Sequence, residues 1–276
     1  MYTTLLLCST LAMYQGQTWQ KDYDQAARAA LEQKKDLLIL FEDDHHFENL
    51  LNQPDVSPGL KKFVTLKVPT SYQYRGKRLL EQPALSEMMG QPGLAIISMH
   101  DPALGTHREA ISVHPRTASR YAWAPAYGVD QVRIILDLPQ TATLTQRSML
   151  YALHVHPEAP QSVRGTWQPA FVAHAQRHSA TQARAHHQHH ASLITVMGSL
   201  QAETGIPLSN ASEVVAESWG MVVGGENVLE ASFSCIDAWR HSSGHWGAVS
   251  RLHRYFGYDI SRAPNGTWYS TGIFAD

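Results

Sequence analysis

Leu37-Leu38-Ile39-Leu40-Phe41 is five apolar residues in a row, without alternation. An unbroken apolar run of strand length is what a strand covered on both faces requires, as in a sheet with helices above and below. Working outward, Tyr23, Ala26, Ala27, Ala30 and Leu31 recur at helical spacing, and Lys34-Lys35-Asp36 closes that helix with exposed charge. Residues 63–68 and 94–99 read as two further strands, and short helices fit residues 45–52 and 83–89. A closing helix over 129–136 is stopped by Pro139. Helices and strands alternating at this spacing give the α/β class.

At 276 residues the chain has room for roughly two domains. Apolar residues are 43% and charged residues 17%, a globular balance that argues against extensive disorder. With 22 Lys plus Arg against 24 Asp plus Glu, no basic footprint for nucleic acid or anionic lipid is present. No apolar run reaches the roughly 20 residues of a transmembrane helix. Two cysteines, Cys8 and Cys235, do not make a disulfide framework, and Cys235 reads as a buried, inert thiol. Residues 3–13 are small and apolar, the length of a signal-peptide core, so residues 1–15 are expected to direct export to a secreted or periplasmic location. The alternative is a buried first strand.

The first half carries a resemblance. Trp19-x2-Asp22-Tyr23, then Lys35-x-Leu37 to Phe41, then Lys67-Val68-Pro69, then Gln91-Pro92-Gly93 ahead of a strand is similar to the thioredoxin-like fold over residues 16–138. The resemblance implies a cis peptide before Pro92. It also implies a Cys-x-x-Cys motif after the central strand, where this chain reads Phe41-Glu42-Asp43-Asp44-His45-His46-Phe47-Glu48. Dithiol exchange needs a thiolate and a resolving thiol, so this domain is expected to be a redox-inactive scaffold. The acids and histidines there fit either a cation site or favourable charge at a helix start.

Residues 139–164 are polar and proline-rich and read as a linker, with a short helix over 147–153 and the pair His154 and His156 inside it. Beyond it, 167–190 reads as a helix that brings Phe171, Ala175, His178, Gln182 and Ala185 or His186 to one packed face, with His186 and His190 four apart so that both point the same way. The string Ala175-x2-His178-Ser179-x2-Gln182-Ala183-x6-His190, then Ser212-Glu213-Val214-Val215-Ala216, then Ala238-Trp239-x2-Ser242-Ser243-Gly244-His245-Trp246, leads to a distinctive tail. That tail is Phe256-Gly257-Tyr258-Asp259 and Asn265-Gly266-Thr267-Trp268-Tyr269-Ser270-Thr271-Gly272-Ile273-Phe274. It resembles the CAP superfamily, the SCP-like domain of cysteine-rich secretory, antigen 5 and pathogenesis-related proteins, over residues 165–276.

The resemblance implies an α-β-α sandwich with a cleft of two histidines and two glutamates. By motif, His190 and His245 match the histidines. Glu213 matches the first glutamate, with Glu226 of Gly225-Glu226-Asn227-Val228 as a rival, and Ser242 replaces the second. Trp246, next to His245, is placed toward the cleft, whereas Trp219, Trp239 and Trp268 read as core. Two imidazoles and a carboxylate can hold Zn²⁺ with a position left for water. Without metal, the same cluster can bind an anion or polar head group at mildly acid pH, or simply fix the sandwich by hydrogen bonds.

The expected function is therefore an exported, non-catalytic binding protein whose cleft takes a small-molecule, lipid or protein ligand, or a metal ion. A zinc hydrolase is the alternative, and metal sequestration by His186, His187 and His189 a further one. No His-Glu-x-x-His and no Gly-x-Ser-x-Gly occurs.

Overall fold

The computed structural model describes residues 18–219 and 226–276, so the segment expected to direct export lies outside the described residues. Among these residues the protein is a mixed α/β molecule built on two four-stranded sheets.

Helix α1 (Tyr23–Gln33) starts where the Asp22 carboxylate accepts the Gln25 N–H at 2.8 Å, and it ends at left-handed Lys34. Strand β1 (Asp36–Phe41) follows and is buried along its whole length, as its unbroken apolar run requires. Helix α2 (His46–Leu51) leads to β2 (Phe63–Val68), which pairs parallel with β1. A small hairpin of β3 (Gln73–Tyr74) and β4 (Lys77–Arg78) and a 3-10 turn over Pro83–Met88 come next. Strands β5 (Gly93–Ile97) and β6 (Ala110–Pro115) form an antiparallel hairpin, and β5 lies antiparallel to β1. The sheet order is β2-β1-β5-β6, and α3 (Val129–Asp137) closes this half.

The peptide before Pro92 is trans, against expectation. The turn into β5 is made instead by Gly93 at φ +148, where a Cβ would stand 2.1 Å from the His114 carbonyl oxygen. Only glycine fits that approach.

Residues 139–164 are more than a polar connection. They hold α4 (Leu144–Val155), begun by a Thr143–Gln146 capping box and buried from Gln146 to Leu153. Its polar residues are inside because they are partnered: the Arg147 guanidinium donates to Ser112 Oγ (2.7 Å) and to the Ile135, Leu138 and Pro139 carbonyls (3.0, 3.1 and 2.9 Å). One continuous buried cluster runs from Ala26 in α1 through α4 to Phe274 near the C-terminus.

The second sheet has the order β7-β9-β10-β8. Strand β7 (Thr166–Trp167) precedes α5 (Pro169–Ala185), α6 (Leu193–Thr204) and β8 (Ser212–Glu217). Then come α7 (Val228–Arg240), α8 (Ser243–Val249), β9 (Tyr255–Arg262) and β10 (Trp268–Ala275). Strand alternation divides the layers. Tyr255, Ile273 and Ala275 pack on α5 with Phe171 and Ala175, while Phe256, Tyr258 and Phe274 join the core under α4 and α7.

Helix α5 is shorter than the helical reading of 167–190. It stops at Ala185 because His186 turns left-handed (φ 51), so His186 and His190 do not share a helical face. No helix of the described residues is long and apolar enough to cross a membrane.

Candidate functional site

Glu213 lies on β8 opposite Ile273, on the sheet face covered by α5, and its side chain is fully buried. A lone carboxylate there would cost several kcal/mol unless its environment compensated the charge. Three elements supply that environment. From α5, one turn apart, His178 brings Nδ1 to 3.0 Å from Glu213 Oε1 and His174 brings Nε2 to 3.8 Å. The loop after α5 gives the Ala191 N–H, which donates to Oε2 at 2.8 Å, and His190, whose Nδ1 is 3.1 Å from Oε2. Helix α8 brings His245, whose Nε2 faces His190 Nε2 at 3.3 Å.

Burial alone would raise the Glu213 pKa. The His174 and His178 rings and the Ala191 N–H outweigh it and hold the carboxyl well below the usual range. The His178 approach is misaligned for a hydrogen bond and the His174 approach is too long for one, so Glu213 Oε1 and His174 Nε2 are both buried without a hydrogen-bond partner. Burial, reinforced by neighbouring His190, lowers the His245 pKa and favours its neutral, metal-binding form.

The loop is held in place by its own contacts. His189 Nδ1 lies 3.4 Å from His178 Nε2, and the His189 N–H donates to Gln182 Oε1 at 3.2 Å. Gln182 Nε2 donates to Thr271 Oγ1 at 2.9 Å, tying α5 to β10 beneath. His186 and His187 are exposed and stand outside the cluster.

Of the residues singled out in the sequence, His190, Glu213 and His245 come together. Ser242 stands at the start of α8, and its hydroxyl makes no hydrogen bond to the three. The Trp246 indole N–H donates to Glu158 Oε2 at 2.8 Å and its ring packs on His156, with centroids 4.8 Å apart, so it anchors α8. Glu226 is ion-paired with Arg120, and its carbonyl accepts the Trp268 indole N–H at 3.2 Å. Glu213, not Glu226, lies beside His190. Trp239 and Trp268 are buried, but Trp219 is 71% exposed. Cys235 is buried, and burial pushes its thiol up to about 12.

His174 and His178 are the members the motif reading did not assign to the cleft. Their signal in the sequence is His174-x3-His178, two histidines on one helix face, beside the denser string His186 to His190.

The acids after β1 each have a structural partner. Glu42 accepts the Phe47 and Glu48 N–H groups (2.5 and 3.1 Å), Asp43 accepts the Thr70 hydroxyl (2.5 Å) and Asp44 pairs with Arg116 (2.6 Å). They fasten the start of α2. A cavity of about 600 Å³ lined by Trp19, Lys21, His45 and Lys67 lies beside them, in the other half from the histidines.

Comparison with protein-family models, curated proteins and solved structures finds no match to this chain.

Proposed function

We propose that this chain is a binding protein whose second half holds a divalent metal ion of the zinc class on His190 and His245, with Glu213 behind His190. In this reading the second half is a CAP-type sandwich and the first a redox-inactive thioredoxin-like scaffold. The layering of α5, the second sheet and α4 with α7 supports the former. A parallel β-α-β unit followed by an antiparallel hairpin supports the latter.

The observation that carries the reading is the pair of facing ring nitrogens, 3.3 Å apart. With bonds of about 2.0–2.1 Å and a tetrahedral angle, two nitrogens on one zinc ion stand about 3.3 Å apart. Glu213 Oε2 accepts from His190 Nδ1, which leaves the Nε2 lone pair pointing outward, the carboxylate–histidine–metal arrangement. When bound, the ion supplies a Lewis-acidic position open to solvent. Binding is favoured over turnover because Glu213 is occupied in orienting histidines and Ser242 stands where a second carboxylate would serve as general base.

Zinc titration of chelator-treated protein tests this. His190→Ala/His245→Ala is expected to lose the solvent-facing ion. Unchanged zinc stoichiometry and affinity in that variant would overturn the reading.

A further inference from the structure

We infer that His174, His178 and Glu213 Oε1 form a second, buried metal site, separate from the His190–His245 pair, that takes a borderline-soft divalent transition metal. The inference shares only Glu213 with the function proposed above and stands on other observations.

The three donor atoms lie within 4.8 Å of one another, close enough to meet on one ion. Two of them, His174 Nε2 and Glu213 Oε1, are buried and unpartnered. Buried polar atoms normally find a partner, and two that face each other across less than 4 Å share one unmet need. The trio does not depend on loops. Two histidines four apart on α5 point the same way, and the carboxylate comes from a paired position in β8.

The surrounding contacts match what such a site needs. His178 presents Nδ1 to the trio, with Thr271 Oγ1 3.5 Å from the same atom, and its other nitrogen lies 3.4 Å from His189 Nδ1. A hydrogen bond there would fix the ring and its tautomer, as the outer partners of metal-binding histidines do. Glu213 divides its two oxygens, Oε1 toward the trio and Oε2 toward Ala191 and His190.

Donor chemistry selects the ion. Two imidazoles and one carboxylate suit Zn²⁺, Co²⁺ or Ni²⁺, whereas Mg²⁺ and Ca²⁺ need more oxygen donors and more water than this buried position offers. The helix reads His174-Ala175-Gln176-Arg177-His178. Where a metalloprotease helix of this spacing carries its general-base glutamate, this one has Ala175, so the site is built to hold an ion and not to activate water.

Cobalt(II) titration of the full, chelator-treated chain, read by its visible absorption and by metal content, separates the two sites. Wild type is expected to take up two equivalents, and His190→Ala/His245→Ala to keep one. His174→Gln/His178→Gln is expected to keep only the solvent-facing one, with near-ultraviolet dichroism checking its fold. The decisive arm is His190→Ala/His245→Ala, whose substitutions lie at the site's mouth. If that variant binds no cobalt although wild type does, the buried site falls and the cleft reading survives. One wild-type equivalent that survives in His190→Ala/His245→Ala sustains the buried site and sinks the cleft reading. No binding in wild type overturns both. His189→Ala is expected to weaken the buried site by about 10–100-fold.

Discussion

Two buried charges show how single residues set the stability of this molecule. Asp259 is buried where Thr145 Oγ1 and Ser179 Oγ donate to its carboxyl at 2.6 and 2.9 Å. Burial outweighs those hydrogen bonds and pushes the carboxyl up to about 6. Between the ordinary value near 4 and 6, the folded protein keeps a proton that the unfolded chain has lost. Stability therefore falls as pH rises through that window and levels off above it, by about 3 kcal/mol for a two-unit shift. Asp259→Asn is expected to raise the melting temperature at pH 7.5 and to leave it unchanged or lower at pH 4. A loss of equal size at both pH values would show that the native carboxyl is ionised. Arg147 is the opposite case, a buried cation whose hydrogen bonds go to Ser112 and to carbonyls at and just beyond the end of α3, where the helix dipole favours positive charge. Arg147→Met takes the donor from the Ile135 and Leu138 carbonyls, while Pro139 keeps the Ala142 N–H, and is expected to cost about 3 kcal/mol in urea denaturation. Arg133→Met, on exposed surface, should stay within about 0.5 kcal/mol.

At the scale of elements, the position of α5 decides whether the histidines reach Glu213. Gly257 of β9 lets helix and sheet approach closely, since a Cβ there would stand 2.4 Å from the Phe171 carbonyl carbon and the Val172 nitrogen. Both are backbone atoms and cannot swing aside. Gly257→Ala must lift α5, at a cost of about 1–3 kcal/mol. His174 lies one turn beyond Phe171, so the same variant is expected to weaken cobalt binding in the buried trio. Lost stability with unchanged cobalt binding would show that the helix position does not set the donors. Legibility in the sequence follows similar lines. The strands β1 and β5 were readable because burial on two faces writes itself as an apolar run, and β2 because Val64, Leu66 and Val68 alternate with Thr65 and Lys67. Helix α4 was read only as 147–153 because Gln146, Arg147 and Ser148 are inside, and polar residues in a core mimic a linker. The end of α5 was unreadable, since a left-handed histidine at 186 lacks the glycine that usually marks such a stop. In the cluster, motif spacing reached His190, Glu213 and His245. The share of His174 and His178 depended on the edge strand β8 turning the Glu213 side chain toward α5, a long-range pairing that the His174-x3-His178 spacing does not itself record.

Over the whole molecule, the two sheets are joined by elements that belong to both. Helix α4 packs on β6 of one sheet and β9 of the other, and α7 lies against α4. The first half reaches along α7 at several points: Glu87 Oε2 accepts the Val228 N–H at 2.6 Å, Ser119 Oγ donates to Glu230 at 3.1 Å, and the Trp123 indole N–H donates to Asp237 at 3.0 Å. The Trp123 ring also meets Phe233 edge-on, with centroids 5.2 Å apart, and packs on His156, which in turn supports Trp246. Since α7 runs directly into α8, these contacts hold the helix that carries His245. The first half thus acts on the cluster by position, without contributing a donor to it. Such a seam predicts one cooperative unit: calorimetric and van't Hoff enthalpies should agree, and circular dichroism and tryptophan fluorescence should report the same midpoint. Trp123→Ala removes three ring contacts, with Tyr121, His156 and Phe233, and leaves Asp237 without its indole partner. It is expected to cost about 3–5 kcal/mol and to lower the single midpoint for both sheets together. Two separated transitions in the wild type, or a Trp123→Ala effect confined to the first half, would mean that the halves fold independently and that His245 is positioned by the second half alone.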